Sequence, residues 1–312
     1  MIKLTEIKNL MLAQGSHADR HPHLSAASGL VLVGPWLYVV ADDELHVGRF
    51  LLEGNTPGEL YRSFEGDLPL EHEERKAAKP DIEALTLLPN FSLPGMSDKT
   101  HSVLLALGSG SKKNRHRTAL IPLDKTGNIN GDPTIIELEN FYDFLKEEIG
   151  KINIEGAAIV DDQIFLFQRG NKKNKLNASI RIALDDFYQV LLNPDKKLKP
   201  PIYVNPYDLG LIDEVPLCFT DATSLANGNI IFTASAENTS DSYLDGQCMG
   251  SAIGMIDRHG KLVMLEPVDK TVKLEGIEAD ESGNTIELLL VTDADDVTHP
   301  ATLYSASVKS PV

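Results

Sequence analysis

Five short segments of the chain each begin with a residue that could bind a hard cation. Every segment starts with serine or an acidic residue, continues with glycine or alanine, and leads into an apolar run; the leading residues are Ser28, Glu83, Glu155, Asp221 and Glu275. Carboxylate and hydroxyl oxygens are the donors that Ca²⁺ and Mg²⁺ prefer in proteins. The pattern predicts a Ca²⁺ site, or alternatively a Mg²⁺ site, wherever the fold brings these residues together. The alternative is that they cap strand ends by accepting backbone N–H groups.

Basic residues concentrate in two loops of the chain. One loop contains Arg115 and Arg117, and the next contains Arg169 and Lys172. Guanidinium and ammonium groups beside a bound cation would suit a phosphorylated or otherwise anionic small molecule. We therefore predict that these four residues bind an anion. The alternative is that both loops are solvated hairpin tips.

A third loop, with the sequence TDADD, contains the alternating acids Asp293, Asp295 and Asp296. It lacks the glycine and the distal glutamate of an EF-hand loop, and we interpret it as a candidate second cation site. The sequence contains no GxSxG motif, and GSGS is not followed by the GK[ST] of a phosphate-binding loop. Esterase chemistry of the serine-elbow type and nucleotide binding by a P-loop are therefore disfavoured.

The elements that must position these residues repeat along the chain. Each leading residue opens an apolar strand, a turn and a second apolar strand, and further strands follow before the next repeat. The last repeat lacks its fourth strand, but residues 2–10 supply an unmatched strand at the other end of the chain. Four strands per repeat predict an all-β fold, a five-bladed β-propeller closed by the N-terminal strand.

Two alternatives to this fold remain open at the level of the sequence. A sixth blade would have to lie within residues 186–218, and an irregular β-sandwich has a similar density of strands. We expect residues 1–312 to form a single propeller domain. Two helices are predicted between blades, over residues 140–150 and 185–192. In a propeller, the five leading residues would surround one mouth of the central channel.

Composition limits the partners of the chain. The 312 residues include 29 Lys and Arg against 46 Asp and Glu, a formal net charge of −17, which argues against binding to nucleic acid or to an anionic membrane. The uncharged stretch 24–41 is interrupted by glycine and proline and predicts two strands rather than a membrane span. The first residues do not resemble a signal peptide, and Cys218 and Cys248 suit free thiols, so we expect a cytoplasmic protein.

The five leading dipeptides, SG, EA, EG, DA and EG, resemble the central ring of five-bladed calcium-dependent apyrases. That resemblance implies a Ca²⁺ ion held by successive blades, although the fourth leading residue here is aspartate rather than serine. The phrases PDIEALT and NIEGAA resemble uncharacterised bacterial propellers described as phytase-like or esterase-like. The resemblance implies the fold and a cation more than it implies a reaction.

Two functions compete on these observations. The first is a metal-dependent hydrolase that cleaves an ester or anhydride of a phosphorylated or other anionic small molecule, with the general base unassigned. The second is a non-catalytic propeller with a structural cation, which binds a protein or a small ligand. Fold alone does not decide between them, because propellers host many functions.

Overall fold

The structure is a computed structural model that describes residues 1–93, 95–96, 100–171, 175–238 and 246–310. Strand β1 (Thr5–Asn9) comes first. Blade 1 then contains β2 (Ala27–Val33), β3 (Trp36–Ala41), β4 (His46–Leu51) and β5 (Glu59–Arg62). Blade 2 contains β6 (Ile82–Leu88), β7 (Ser102–Gly108), β8 (Arg117–Leu123) and β9 (Thr134–Glu137).

The remaining sheets follow in chain order. Blade 3 contains β10 (Ile154–Val160), β11 (Gln163–Gln168), β12 (Asn177–Ala183) and β13 (Ile202–Tyr207). Blade 4 has five strands, β14 (Leu211–Ile212), β15 (Val215–Ser224), β16 (Ile230–Glu237), β17 (Cys248–Ile256) and β18 (Leu262–Pro267). Blade 5 contains β19 (Lys273–Ser282), β20 (Thr285–Asp293), β21 (Thr302–Lys309) and β1.

The chain is a five-bladed β-propeller, as the repeats predicted. Residues 186–218 contribute to blades 3 and 4, so no sixth sheet occurs among the described residues. Strand β1 pairs antiparallel with β21, with Thr5 opposite Ser305 and Asn9 opposite Thr302. This pairing covers the edge of the last blade with the first strand of the chain, which confirms the predicted closure.

In the described part of the chain, α-helices occupy three connections between strands. They are α1 (His72–Ala78), α2 (Glu139–Ile149) and α3 (Leu184–Leu192). Helices α2 and α3 overlap the ranges predicted to be helical, and α1 was not predicted. Helix α2 connects blades 2 and 3 as expected, but α3 joins β12 to β13 within blade 3 rather than connecting two blades. No helix among the described residues is long and apolar enough to cross a membrane.

The apolar core lies between adjacent blades rather than at one centre. Between blades 2 and 3, side chains of both sheets pack with α2 and α3, and Phe141 and Phe187 form an edge-to-face pair with centroids 5.8 Å apart. Where the blades meet at the channel, their inner strands approach closely. A Cβ on Gly156 would lie 2.8 Å from the Ala222 nitrogen, and one on Gly276 would lie 2.8 Å from the Ser28 carbonyl oxygen. These contacts explain why small residues follow the leading residues.

Candidate functional site

The inner strand of each blade contains a β-bulge near the same end of the channel. In four blades the bulge includes the predicted leading residue, at Ser28, Glu83, Glu155 and Glu275. In blade 4 the bulged residue is Thr220, because Phe219 pairs with Ala234 and Asp221 pairs with Thr233. Asp221 therefore lies one residue out of register with the other four.

Asp221, Thr220 and Ser28 make contacts of the kind that hold a fold together. The Oδ2 atom of Asp221 accepts a hydrogen bond from the Ile277 N–H at 2.9 Å, which ties blade 4 to blade 5. Burial raises the pKa of Asp221 well above its ordinary range. The hydroxyl of Thr220 donates to the Leu274 carbonyl at 2.8 Å, and the Ser28 hydroxyl lies 3.4 Å from the Ala26 carbonyl. For Asp221, these contacts match the strand-capping alternative.

Glu155 and Glu275 belong to a buried charge network in blades 3 to 5. Arg169, which follows β11, lies between Glu155 at 2.9 Å and Glu237 at 2.8 Å. The Lys273 ammonium contacts Glu237, Glu275, Asp293 and Asp295 at 2.8–3.3 Å. We call these residues the Arg169 network: Glu155, Arg169, Glu237, Lys273, Glu275, Asp293 and Asp295.

Glu83 belongs to a second network, in blades 1 and 2. Lys79, at the end of α1, contacts Asp42 and lies 3.0 Å from Asp81. Arg115 pairs with Asp81 at 2.6 Å, and the Ser109 hydroxyl donates to Asp81 at 2.5 Å. We call this the Lys79 network: Asp42, Lys79, Asp81, Glu83, Ser109 and Arg115.

The two networks contain more carboxyl groups than basic groups, and this imbalance perturbs their acidity. Burial raises the pKa of Glu83 well above its ordinary range, and the nearby Glu155 and Asp81 add to the shift. Burial also raises the pKa of Glu275 well above its ordinary range, although Lys273 and Arg169 oppose it. For Glu237, burial alone would raise the pKa, but Arg169 and Lys273 outweigh it and lower the pKa to about 2. The channel therefore holds carboxyl groups of raised pKa beside one of lowered pKa.

The basic residues that the sequence placed in anion-binding loops have other contacts. Arg115 and Arg169 are buried in ion pairs, so their guanidinium groups are occupied by protein carboxylates. Arg117 pairs with Glu137 at 2.8 Å and stacks on Phe64. Lys172 lies outside the described residues. Anion binding by these residues stays a prediction.

The carboxylates that lie close together differ from the predicted cation ligands. Among the described residues, the one group with mutually close ligand atoms is Asp42, Asp81 and Glu83, whose oxygens lie within 4.8 Å of one another. It shares only Glu83 with the predicted set. The Lys79 ammonium contacts two of these three carboxylates and already balances part of their charge. A cation bound there would compete with the Lys79 ammonium for the same oxygens.

A cavity of about 490 Å³ opens beside these networks. Asp42 lines it from blade 1, Asp293 and Asp295 line it from blade 5, and α1 contributes Arg75. We call it the mouth cavity. Burial raises the pKa of both Asp42 and Asp295 to about 7. The cavity thus combines space for a small molecule with two carboxyl groups that exchange protons near neutral pH.

Several residues of the site were not predicted from the sequence. Asp81 and Lys273 each lie two positions before a leading residue, and Glu237 ends β16. Because alternate residues of a strand face the same side, Lys273, two positions before Glu275 in β19, had a usable signal, whereas Asp81 lies before β6 begins. Lys79 had no comparable signal, since α1 was not predicted.

One protein-family model matches most of the chain. The model of a family of unknown function, DUF6929, matches residues 23–308. The chain belongs to this family. No protein in a search of curated proteins matches the chain.

Solved structures of similar fold include glycoside hydrolases. The catalytic domain of a Coprinopsis cinerea family 62 α-L-arabinofuranosidase aligns with a TM-score of 0.50 at 10% identity, covering 98% of this chain and 96% of that chain. A candidate glycoside hydrolase from Parabacteroides distasonis aligns with a TM-score of 0.49 at 11% identity, covering 98% and 96%. At these identities the likeness shows the fold alone. These matches give no support to the resemblance to apyrases or to phytase-like propellers.

Proposed function

We propose that the chain is a hydrolase that uses carboxyl groups of the mouth cavity as general acid and general base, and that its substrate is a glycoside. One observation carries the proposal: a single cavity is lined by two carboxyl groups, Asp42 and Asp295, whose pKa burial raises to about 7. Carboxyl groups that can divide the roles of acid and base are what glycosidic hydrolysis requires.

The exposure of the two residues suggests which role each takes. Lys79 contacts Asp42, and Lys273 contacts Asp295 at 3.1 Å, so an ammonium group favours the ionised form of each. Asp42, the more buried of the two, is the proposed base that activates water. Asp295 is the more exposed of the two side chains, at 31% against 21%, and is the proposed acid that protonates the leaving group. Asp293 accepts the Asp295 N–H at 2.8 Å and pairs with Lys273 at 2.8 Å. In this scheme, Asp293 and Lys273 are positioning residues that hold the loop carrying the acid.

The choice of a glycoside over a phosphate ester also has support. The arginines that line the mouth cavity, Arg20 and Arg75, are already paired with Asp43 and Glu44. Arg115 and Arg169 are likewise paired with protein acids. The Coprinopsis cinerea relative by fold is an α-L-arabinofuranosidase, which makes aryl glycosides the first substrates to test. A phosphorylated substrate remains the alternative version of the same proposal.

The test is a panel of chromogenic aryl glycosides, aryl phosphates and nucleotides, assayed with the full chain. Asp295→Asn and Asp42→Asn are each expected to reduce kcat about 10²–10⁴-fold, the range associated with losing a general acid or base. Glu287→Gln, an exposed position of blade 5, is the control and is expected to match the wild type. Turnover that survives both aspartate substitutions would refute the assignment.

A second candidate is a non-catalytic propeller that binds a cation at Asp42, Asp81 and Glu83. The closeness of their oxygens, within 4.8 Å, favours it. A cation would have to displace the Lys79 ammonium, so Lys79→Ala is expected to increase Ca²⁺ affinity if this candidate is right. Calorimetric titration with Ca²⁺ and with Mg²⁺ measures this directly. Activity that resists a chelator, together with no heat of binding, would leave the acid–base proposal alone.

A further inference from the structure

A second cavity, of about 500 Å³, opens on the central channel. The residues that line this cavity come after the bulges along the inner strands. The cavity therefore lies at the end of the channel opposite the mouth cavity. All five blades contribute to its wall, through residues that include Leu30, Leu85, Ala157, Ala222, Thr223 and Glu278. We call it the axial cavity. Apolar side chains form about half of its wall, beside polar side chains that include His101 and Ser102, and none of its lining residues belongs to either charge network.

Glu278 is the one acidic side chain among the described lining residues. Its Oε1 atom accepts hydrogen bonds from the Thr223 hydroxyl and the Ala279 N–H, both at 3.1 Å, and Oε2 accepts the Leu32 N–H at 3.1 Å. These donors come from blades 4, 5 and 1, so the carboxyl group is fixed at the wall. A carboxylate oxygen has two lone pairs, which leaves Oε2 able to accept another donor.

We propose that the axial cavity binds an apolar small molecule that carries a protonated amine, with the amine donating a hydrogen bond to Glu278. The leucine and alanine side chains of the wall would cover the apolar body. Burial raises the pKa of Glu278, and an ammonium group beside it would favour the ionised carboxylate and form a charge-assisted hydrogen bond. The volume lies within the range of small-molecule sites, and the net charge of −17 attracts cations.

The test uses three probes of equal chain length, octylammonium, 1-octanol and octanoate, titrated calorimetrically into the full chain. Octylammonium is expected to bind with a stoichiometry of one and at least about tenfold more tightly than 1-octanol, as a hydrogen bond to a charged group predicts. Octanoate is expected to bind most weakly, because its charge repels Glu278. Equal affinities for the three probes, or no binding of any, would overturn the proposal.

Two kinds of variant locate the probe. Glu278→Gln is expected to lower octylammonium affinity to that of 1-octanol, whereas Glu287→Gln, exposed on the same blade, should leave it unchanged. Ala157→Leu is expected to reduce the binding of all three probes by filling the cavity, after circular dichroism has shown that it folds. If Ala157→Leu fails to fold, the Glu278→Gln result alone decides. A preference for octylammonium that persists in Glu278→Gln would show adsorption to the acidic surface and refute the site.

Discussion

Replacing Arg169 with methionine tests whether the carboxylates at the channel depend on the cations beside them. Arg169 contacts Glu155 at 2.9 Å and Glu237 at 2.8 Å, and its side chain is only 14% exposed. Methionine keeps much of the apolar stem and removes the charge. Removing one partner of a buried ion pair typically costs about 3–5 kcal/mol, because the remaining charge is left uncompensated. We therefore expect the free energy of unfolding at pH 7 to fall by about that amount.

The pH dependence of this loss gives a sharper test. Burial, opposed by Arg169 and Lys273, leaves Glu237 with a pKa of about 2 against an ordinary value of 4.5. A pKa lowered in the folded state contributes about 3 kcal/mol at pH above 4.5, and this is lost as the pH falls toward 2. Between pH 8 and pH 5 the wild-type contribution is therefore constant. In Arg169→Met the pKa values of Glu237 and Glu155 rise, the groups take up protons in that window, and the destabilisation should shrink as the pH falls.

Urea unfolding at several pH values between 5 and 8 measures both effects. Arg258→Met, at an exposed turn, is the control and should change stability by no more than about 0.5 kcal/mol. Two results would contradict the prediction: Arg169→Met lowers the free energy of unfolding by less than about 1 kcal/mol, or by an amount that does not vary with pH. Either result would show that the Arg169 network does not stabilise the fold through its ion pairs.

Three further predictions concern the closure, the blade contacts and the proposed reaction. Deleting residues 1–10 removes β1 and exposes the edge of β21, so the melting temperature should fall sharply; an unchanged melting temperature would contradict the closure. Gly156→Val places a side chain within 2.8 Å of the Ala222 nitrogen and should destabilise the fold by about 1–3 kcal/mol in urea unfolding, as overpacking does. Hydrolysis should show a bell-shaped pH profile near pH 7, because Asp42 must be ionised and Asp295 protonated; a rate that stays flat from pH 5 to pH 9 would contradict this.

The blades could be predicted from the sequence because their signal is local. Apolar strands, tight turns and a polar exit recur five times, and the missing strand at one terminus is matched by a spare strand at the other. The position of a β-bulge depends on pairing with another strand, not on the local sequence. Thr220 and Asp221 are adjacent polar residues, and only the pairing of β15 with β16 shows that Thr220 is the bulged one. The repeats therefore identified the bulged inner strands, but in blade 4 the leading residue chosen from the sequence, Asp221, lies one position after the bulge.

The charge networks depend on contacts between residues that are distant in sequence. Arg115 lies 34 residues from Asp81, and Arg169 and Glu237 belong to different blades. A basic residue after a strand is usually solvated, but the same residue type can also form a buried ion pair. The local sequence does not distinguish the two. What decides between them is whether the next blade supplies a carboxylate, and a single sequence does not contain that information.

Lys273 links the buried charge network of the channel to the proposed catalytic site. The same ammonium contacts Glu237 and Glu275 in the interior and Asp293 and Asp295 at the mouth cavity. Buried ionic groups are often less stabilising than apolar residues of similar size, so stability alone does not account for four carboxylates around one lysine. A general acid must release and regain a proton, so it needs nearby charged groups that stabilise its ionised form without fixing it in that form. In the proposed reaction, Lys273 would stabilise Asp295 whenever it is ionised, and the interior carboxylates would limit how strongly, which keeps its pKa near neutrality.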